Sequence, residues 1–304
     1  MNPFKPEEQK EPEGIFSTEP AHASLFAPSQ KYREVTAAMK PQYVVYMKPP
    51  KDLVRVTKTE RLGGYLPGLT PIYAEVSNAS LEVIGVPGSG SLLEMRSQAD
   101  APNPTQARSL LDEINMELQD GRLRLFSPSN RMNQLSVTEF AITCPRERPL
   151  TVRGFYSAVR ISDLTGGADI ETTQARIMIF DVGPQVNARV KEGIVDYAGH
   201  QGSVRLSAGW EINLKFTSQE FIGGLDAVSE GPVRVLIPEG FATCFEASLA
   251  KDAAFVCRAD IKSQIVHREE AGRVIYRFGQ GPTVVGLKSL NGPIVIDNVS
   301  DPGE

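Results

Sequence analysis

The sequence has few cysteines. Its 304 residues include only three, Cys144, Cys244 and Cys257. Because they are odd in number and lack the short spacing of a zinc site, they predict neither a disulfide framework nor a cysteine metal centre. We expect reduced, partly buried thiols.

Long apolar runs are also missing. No uninterrupted apolar stretch reaches the roughly eighteen residues that a bilayer span requires. The first residues, Met-Asn-Pro-Phe-Lys-Pro-Glu-Glu, lack the apolar core of a signal peptide. The sequence therefore predicts a cytoplasmic protein without a membrane span.

The charged residues form no cluster of one sign. The formal net charge is −5 and the pI about 5.5, with lysine and arginine scattered along the chain, so a nucleic-acid partner is not predicted. None of His22, His200 and His267 has a second histidine or a cysteine at the usual spacing of a metal site. We predict no metal and no cofactor.

What the sequence does contain is an eighteen-residue repeat between Pro149 and Phe216. Three apolar columns follow this step: Val152, Ile170, Ala188 and Leu206; Val159, Ile177 and Val195; Ile161, Ile179 and Tyr197. Apolar residues two positions apart, such as Ile177 and Ile179, indicate strands rather than helices. Turn residues recur with the same step, at Gly166, Pro184 and Gly202, and mark a corner.

A fixed period near twenty with strand-type alternation is typical of units that bury their apolar face only by stacking. We therefore predict an all-β fold, a parallel β-solenoid with coils of about 18 residues, whose neighbouring strands lie about 4.8 Å apart. The outward column Arg153, Glu171 and Arg189 alternates in charge, as this register favours. In the same register Ile177 faces the core, and Arg176 faces solvent, where alanine should be tolerated.

The chain divides into four segments around this repeat. Residues 1–30, rich in proline and glutamate, predict a disordered tail, with a docking peptide as the alternative. Residues 31–145 predict a mixed strand and helix entry segment, of which residues 103–127 cap the first coil. Residues 146–298 predict the solenoid, and residues 299–304 a polar end.

The entry segment contains one clear helix signal and two loop signals. Asn103 can cap a helix, Pro104 suits its first turn, and Gln106 follows the cap by three residues. Asp120-Gly121 predicts a β-hairpin turn. The glycine-rich residues 85–90 lack the Gly-Lys-Ser/Thr ending of a phosphate-binding loop, so they predict a plain hairpin connection.

A resemblance follows from the order of these motifs. A helix with Leu110-Leu111-Asp112-Glu113-Ile114 and a strand pair closing at Arg122-Leu123-Arg124-Leu125 precede Leu150-Thr151-Val152 and repeated steps such as Gly167-Ala168-Asp169-Ile170 and Gly202-Ser203-Val204. Over residues 70–298 the chain resembles the bacterial putative-adhesin domains of unknown function, which are repetitive β-solenoids with a mixed entry segment. The resemblance implies a scaffold or surface-recognition role, and it carries over no catalytic residue.

One set of residues suggests chemistry. Asp163 and Asp181, eighteen apart, would stack on adjacent coils, and Arg160 lies close by in the sequence. Two stacked carboxylates near a basic residue could form the site of a solenoid polysaccharide lyase or hydrolase, although surface charge without function explains them equally well. Ser248-Leu249-Ala250-Lys251 matches a Ser-x-x-Lys nucleophile motif only in its letters, because it lies in a strand-like run.

The sequence thus leaves two functions open. We favour a non-catalytic scaffold that binds a protein partner or associates with itself as a homo-oligomer through the faces and ends of the solenoid. Strands near Ile294 and Ile296 are the predicted self-association edge. The alternative is the carbohydrate-active enzyme that uses Asp163 and Asp181.

Overall fold

The computed structural model describes residues 53–63, 71–119, 122–130, 134–259, 265–279 and 284–299. The predicted tail of residues 1–30 lies outside the described residues, as do residues 300–304 of the predicted polar end and the predicted Asp120-Gly121 turn. The described part is almost entirely strand, so the all-β class is confirmed.

Seven strands and one helix precede the repeat. They are β1 (Val54–Gly63), β2 (Ile72–Ser77), β3 (Ser80–Val86), β4 (Leu92–Ala101), α1 (Pro104–Asp112), β5 (Asn115–Gln119), β6 (Arg122–Phe126) and β7 (Leu135–Pro145). The helix begins as predicted, since the Asn103 Oδ1 accepts a hydrogen bond of 2.9 Å from the Gln106 N–H. Its buried residues, Ala107, Leu110 and Leu111, lie on the side that packs against β4 and β1.

Fourteen strands follow in the described part. They are β8 (Leu150–Phe155), β9 (Ser157–Ser162), β10 (Ala168–Phe180), β11 (Gln185–Gly199), β12 (Gln201–Ala208), β13 (Glu211–Phe216), β14 (Ile222–Ser229), β15 (Val233–Ile237), β16 (Phe245–Ala250), β17 (Phe255–Cys257), β18 (Val266–Glu270), β19 (Arg273–Phe278), β20 (Val285–Ser289) and β21 (Ile294–Asn298).

The strands form two ladders, joined because the long strands β10 and β11 take part in both. The first ladder runs β6, β2, β8, β10, β11, β12, β14, β20 and β16, with every neighbouring pair parallel. The second runs β7, β3, β9, β10, β11, β13, β15, β21 and β17, again parallel throughout. We call each pair of strands at the same height, one from each ladder, a level.

The eighteen-residue register is present in the middle of both ladders. Ile170 pairs with Val152 on one side and Ala188 on the other, and Ile177 pairs with Val159 and Val195 in the same way. The step shortens to seventeen where Val195 pairs with Ile212.

Antiparallel strands lie at both ends, so the sheet is mixed. At one end β5 pairs with β6, and β1 pairs with β4, which pairs with β7. At the other end β19 pairs with β16, and β18 with β19. The hairpin β5–β6 and the helix α1 both belong to the first of these ends, but their role as a protective cap stays a prediction.

The chain does not visit the levels in sequence order. The level β2/β3 lies between β6/β7 and β8/β9, and the level β20/β21 lies between β14/β15 and β16/β17. One sequence prediction is wrong for this reason. Residues 85–90 are not a plain hairpin connection, because β7 lies between β3 and β4. The division of the chain between residues 145 and 146 stays a prediction, and β2 pairs with β8 across it.

The core fills the space between the inward faces of the two ladders. One buried column is Leu123, Ala74, Val152, Ile170, Ala188, Leu206, Ala227, Leu287 and Ala247; another is Phe140, Leu81, Val159, Ile177, Val195, Ile212, Val233 and Ile294. Each fully buried Val, Leu or Ile contributes about 1.5–3 kcal/mol relative to an exposed one. The continuous columns explain why strands of five or six residues are stable here.

Candidate functional site

The predicted acidic pair lies at a corner of the fold. Asp163 directly follows β9 and Asp181 directly follows β10, and both have a left-handed backbone, with φ of 60° and 48°. Their N–H groups donate to the carbonyls of Phe180 and Ala198 at 3.1 and 2.9 Å. Aspartate tolerates this conformation better than most residues. The structure thus places both residues at equivalent corners of successive levels, where turning the chain already accounts for them.

Arg160, the predicted basic partner, is engaged elsewhere. Its Nε lies 3.4 Å from the Glu82 Oε1, on the neighbouring strand β3, and its guanidinium stands 5.0 Å from the ring centre of Phe180. These contacts account for the position of the arginine without the two aspartates.

His200 lies close to Asp181. Its Nδ1 lies 4.0 Å from the Asp181 Oδ1 and 3.4 Å from the Thr217 Oγ1. A hydroxyl–histidine–carboxylate relay needs its two partners on opposite ring nitrogens, whereas both contacts here involve the same one. Thr217, His200 and Asp181 therefore lack the geometry of a proton relay. Among the described residues, no group of three His, Cys, Asp or Glu side chains could hold a metal ion.

The side chain of Tyr197 lies in the core beside this corner. Its side chain is fully buried, and its hydroxyl donates to the Gln201 carbonyl at 3.5 Å. Burial raises the pKa of Tyr197, and the charge of the nearby Asp181 raises it further. The phenol therefore stays protonated and serves as a structural donor.

In the structure, Ser248 and Lys251 of the Ser-x-x-Lys match bind different partners. Ser248 Oγ accepts a hydrogen bond of 2.8 Å from Arg273 Nε, and Lys251 pairs with Glu269 at 2.9 Å. Each residue is held by a different strand of the β18–β19 hairpin, so the geometry provides no activated nucleophile.

The predicted self-association edge at Ile294 and Ile296 is wrong. Both side chains are fully buried, and their strand β21 is paired with β15 on one side and with β17 on the other. The sequence could not show this, because the last strand of the described chain is inserted between two earlier ones.

At this end β18 has a free edge, as does β17, which pairs only with β21 among the described strands. All five residues of β18 are exposed, and among the described strands it pairs only with β19. Its sequence, Val266-His267-Arg268-Glu269-Glu270, shows no apolar alternation, so sequence reasoning missed it. The signal available was its charge, since charged side chains commonly protect edge strands.

Sequence reasoning also missed an exposed aromatic corner. Phe126 and Phe155 are both ladder partners of Ser77, and Tyr156 packs edge-on against Phe155 with 4.2 Å between ring centres. The three residues are 42%, 46% and 54% exposed. We call Phe126, Phe155 and Tyr156 the aromatic corner. The dipeptide Phe155-Tyr156 at the end of a strand was its visible signal.

A buried polar network lies on the outward side of the second ladder. Arg176 Nε donates to Asp196 Oδ2 at 2.5 Å, and Asn213 Nδ2 donates to Asp196 Oδ1 at 2.9 Å. Glu211 Oε1 lies 3.3 Å from Arg234 Nε. Asp196 is fully buried although its strand position points outward, because long neighbouring side chains surround it. Burial raises the pKa of Glu211, an effect that Arg234 opposes.

Comparison with known proteins gives structural likeness only. No protein-family model matches the chain, and no curated protein matches it. A putative adhesin from Bacteroides fragilis has a TM-score of 0.43 at 14% identity, over 83% of this chain and 99% of that one. A putative cell adhesion protein from Clostridium sporogenes has a TM-score of 0.33 at 10% identity, over 81% of this chain and 100% of that one.

A putative lipid binding protein from Parabacteroides distasonis has a TM-score of 0.24 at 9% identity, over 80% of this chain and 97% of that one. Thus the solved structures that this chain is similar to include bacterial proteins described as putative adhesins, as the sequence resemblance implied, and these TM-scores and identities carry no functional argument.

Proposed function

We propose that the protein is a non-catalytic β-solenoid scaffold that binds a protein partner, or a second copy of itself, through free strand edges at the ends of its sheet. The eighteen-residue parallel register supports the solenoid. The predicted cytoplasmic location stays a prediction. In the part of the chain that the structure describes, no helix is long and apolar enough to cross a bilayer.

The observation that carries this proposal is the free edge of β18. A strand with one partner presents a row of unpaired N–H and C=O groups to which another chain can add a strand. Both faces of β18 are exposed, and Val266 is 61% exposed. The mixed charges of Arg268, Glu269 and Glu270 favour a partner strand of complementary charge.

Light scattering over a concentration series tests self-association. We expect growth beyond the monomer that Val266→Lys weakens at least threefold, because a lysine at the apolar position of the edge opposes strand addition. Val228→Lys is the matched control, since Val228 is 39% exposed but lies on β14, where it pairs with Ser207 of β12 on one side and Lys288 of β20 on the other.

A protein partner is tested by affinity capture from the native host with the wild type and both variants. A partner lost only with Val266→Lys supports the edge. A strictly monomeric protein whose captured partners are equally retained by both variants contradicts it.

The alternative enzyme keeps one observation in its favour, namely that Asp163 and Asp181 occupy equivalent corners. Its test is depolymerisation of an acidic polysaccharide by the wild type and Asp181→Ala. Because Arg160 is engaged by Glu82 and Phe180, we expect no activity in either protein. Activity that is lost in Asp181→Ala would establish the enzyme instead.

A further inference from the structure

The two ladders end unevenly beside β17. The first ladder continues beyond the level β16/β17, because β19 pairs with β16 and β18 pairs with β19. The second ladder stops at β17, which among the described strands pairs only with β21. No described strand therefore lies beside β17 in the places opposite β19 and β18. We call the place directly beside β17, opposite β19, the open strand position.

The backbone of β17 directs hydrogen-bonding groups toward the open strand position. On the other side of the strand, the Ala254 carbonyl and the Arg258 N–H bind backbone groups of β21 at 3.1 and 2.8 Å. Because successive residues of a strand in a parallel ladder direct their N–H and C=O groups to opposite sides, the residues between these two alternate. The N–H and C=O groups of Phe255 and Cys257 therefore point to the open strand position, where an added strand can bind them.

The core beside the open strand position ends in a pair of aromatic rings. Neighbours in a ladder point to the same side. Phe255 points to the core because its partner Ile294 is fully buried there, and Tyr276 does so because its partner Ala247 is. The two rings stack with 4.2 Å between their centres and 9° between their planes. Unlike Ile294 and Ala247, both aromatic residues keep part of their surface exposed, so the described chain does not fully cover this end of the core.

The free edges of β17 and β18 differ in their protection. β18 carries charged side chains at Arg268, Glu269 and Glu270, a common means of preventing the addition of another strand. β17 reads Phe-Val-Cys over residues 255–257 and carries no charge. Because β17 has only three residues, backbone pairing alone is weak, and the aromatic pair has to supply most of the affinity for an added strand.

A second copy of the chain collides with β18 or β19 when it is placed on β17. If its own β17 paired there with a continuous core, its β16 would lie at the height that β19 occupies. If its β1 paired there, its β5 would lie at the height of β18, because β4 and β1 extend the second ladder one strand further than β5 extends the first. The uneven ends therefore favour a strand from a different protein.

We propose that the open strand position binds one extended segment of a partner protein, with apolar side chains at alternate residues. The backbone of this segment pairs with Phe255 and Cys257, and its apolar side chains cover the rings of Phe255 and Tyr276. Burial of the rings supplies affinity, and the backbone hydrogen bonds fix the register. This inference rests on the proposed function, for which it names the chemistry of the partner, and it places that partner on β17 rather than on β18.

A synthetic peptide with the sequence of β21, Ile-Val-Ile-Asp-Asn, is the probe, because β21 pairs in parallel with β17 and turns both isoleucines to the core. Cys257 supplies the readout, since it is partly exposed whereas Cys144 and Cys244 are buried. With alkylation of the folded full chain by iodoacetamide followed by mass spectrometry, we expect excess peptide to slow the modification of Cys257 at least fivefold. A control peptide with aspartate in place of both isoleucines should give no protection.

Two variants test the aromatic pair. Tyr276→Ser and Phe255→Ser each remove one ring, and for either we expect half-protection of Cys257 to require at least fivefold more peptide. Tyr156→Ser, which removes a ring from the aromatic corner, is the control and should behave as the wild type does. Thermal unfolding establishes that each variant keeps the fold, and if one variant of the pair fails to fold, the other decides.

Val266→Lys separates this inference from the proposed function. It should leave the protection of Cys257 unchanged, even where it weakens association through β18. Equal protection by the two peptides, or protection by neither, overturns the binding of a strand beside β17 without bearing on β18. Protection that increases with protein concentration in the absence of peptide also overturns the inference, in favour of a second copy as the occupant.

Discussion

A Cβ atom built on Gly193 would lie 1.8 Å from the carbonyl oxygen of Ala175, one level away along the same corner. The obstacle is backbone, which a rotamer change cannot move. We expect Gly193→Ala to lower the free energy of unfolding by at least about 2 kcal/mol, the usual scale of overpacking. Urea denaturation measures this change.

Gly224→Ala is the control for that substitution. Gly224 is exposed, and a Cβ there would meet no atom within 4 Å. Its effect should stay within about 1 kcal/mol and could be stabilising, because alanine restricts the unfolded chain. Equal losses in the two variants would show that the corner is not tightly packed.

Ile177 tests the stacked core. It is fully buried between Val159 and Val195. Ile177→Asp places an unpaired carboxylate among apolar side chains and should cost on the order of 4 kcal/mol or more. Ser203→Asp, at an exposed position on β12, should change the midpoint of thermal unfolding little. Similar midpoints for both variants would contradict the core assignment.

Arg176 corrects an expectation from the sequence. Strand alternation predicts that this outward arginine tolerates alanine, but its guanidinium donates to the fully buried carboxylate of Asp196. Arg176→Ala leaves that carboxylate with the hydrogen bond from the Asn213 amide. The cost should be on the order of 3 kcal/mol, since an uncompensated buried charge is left behind.

Arg189→Ala provides the comparison, because Arg189 is exposed on the first ladder. Chemical denaturation should show a loss within about 0.5 kcal/mol for this variant. If Arg176→Ala loses equally little unfolding free energy, water reaches Asp196 and the polar network contributes little to stability.

Glu211 gives the stability of the protein a pH dependence of known sign. Burial raises its pKa above the ordinary 4.5. Between 4.5 and the raised pKa the folded chain binds more protons at this site than the unfolded chain does, so its contribution to the unfolding free energy falls as pH rises through that interval. Glu211→Gln removes this contribution.

Urea denaturation from pH 4.5 to 8 measures it. The stability of the wild type relative to Glu211→Gln should be greatest at the acid end and decline toward neutral pH. Glu171→Gln, which removes an exposed carboxylate, should run parallel to the wild type. If the free energy of unfolding of Glu211→Gln runs parallel to that of the wild type at every pH, the pKa of Glu211 is not raised by burial.

Sequence reasoning succeeded where local periodicity determines the structure. The columns through Ile170 and Ile177 and the cap at Asn103 were readable because strand alternation and capping chemistry act within a few residues. The burial of Asp196 was not readable, because it depends on side chains from neighbouring strands. The pairing of Leu225 with Val285, sixty residues away, has no local signature either.

The candidate sites show the same limit. The equivalence of Asp163 and Asp181 followed from the period, but the pairing of Arg160 with Glu82 required knowing that β3 lies beside β9. The sequence predicted a free edge at Ile296, whereas the structure has one at Val266. The reason is that β21, the last strand, lies between β15 and β17.

The insertion of β20 and β21 between earlier levels bears on synthesis at the ribosome. Strands β16 and β17 emerge before β20 and β21, yet they pair in parallel with the stack only through them. A nascent chain can therefore add levels in order only as far as β14 and β15. The following segment cannot take its place in the parallel stack until about forty further residues have been translated. Ribosome stalling or premature termination within residues 258–283 would leave that segment without its place in the stack, and such products are natural substrates for chaperones and proteases.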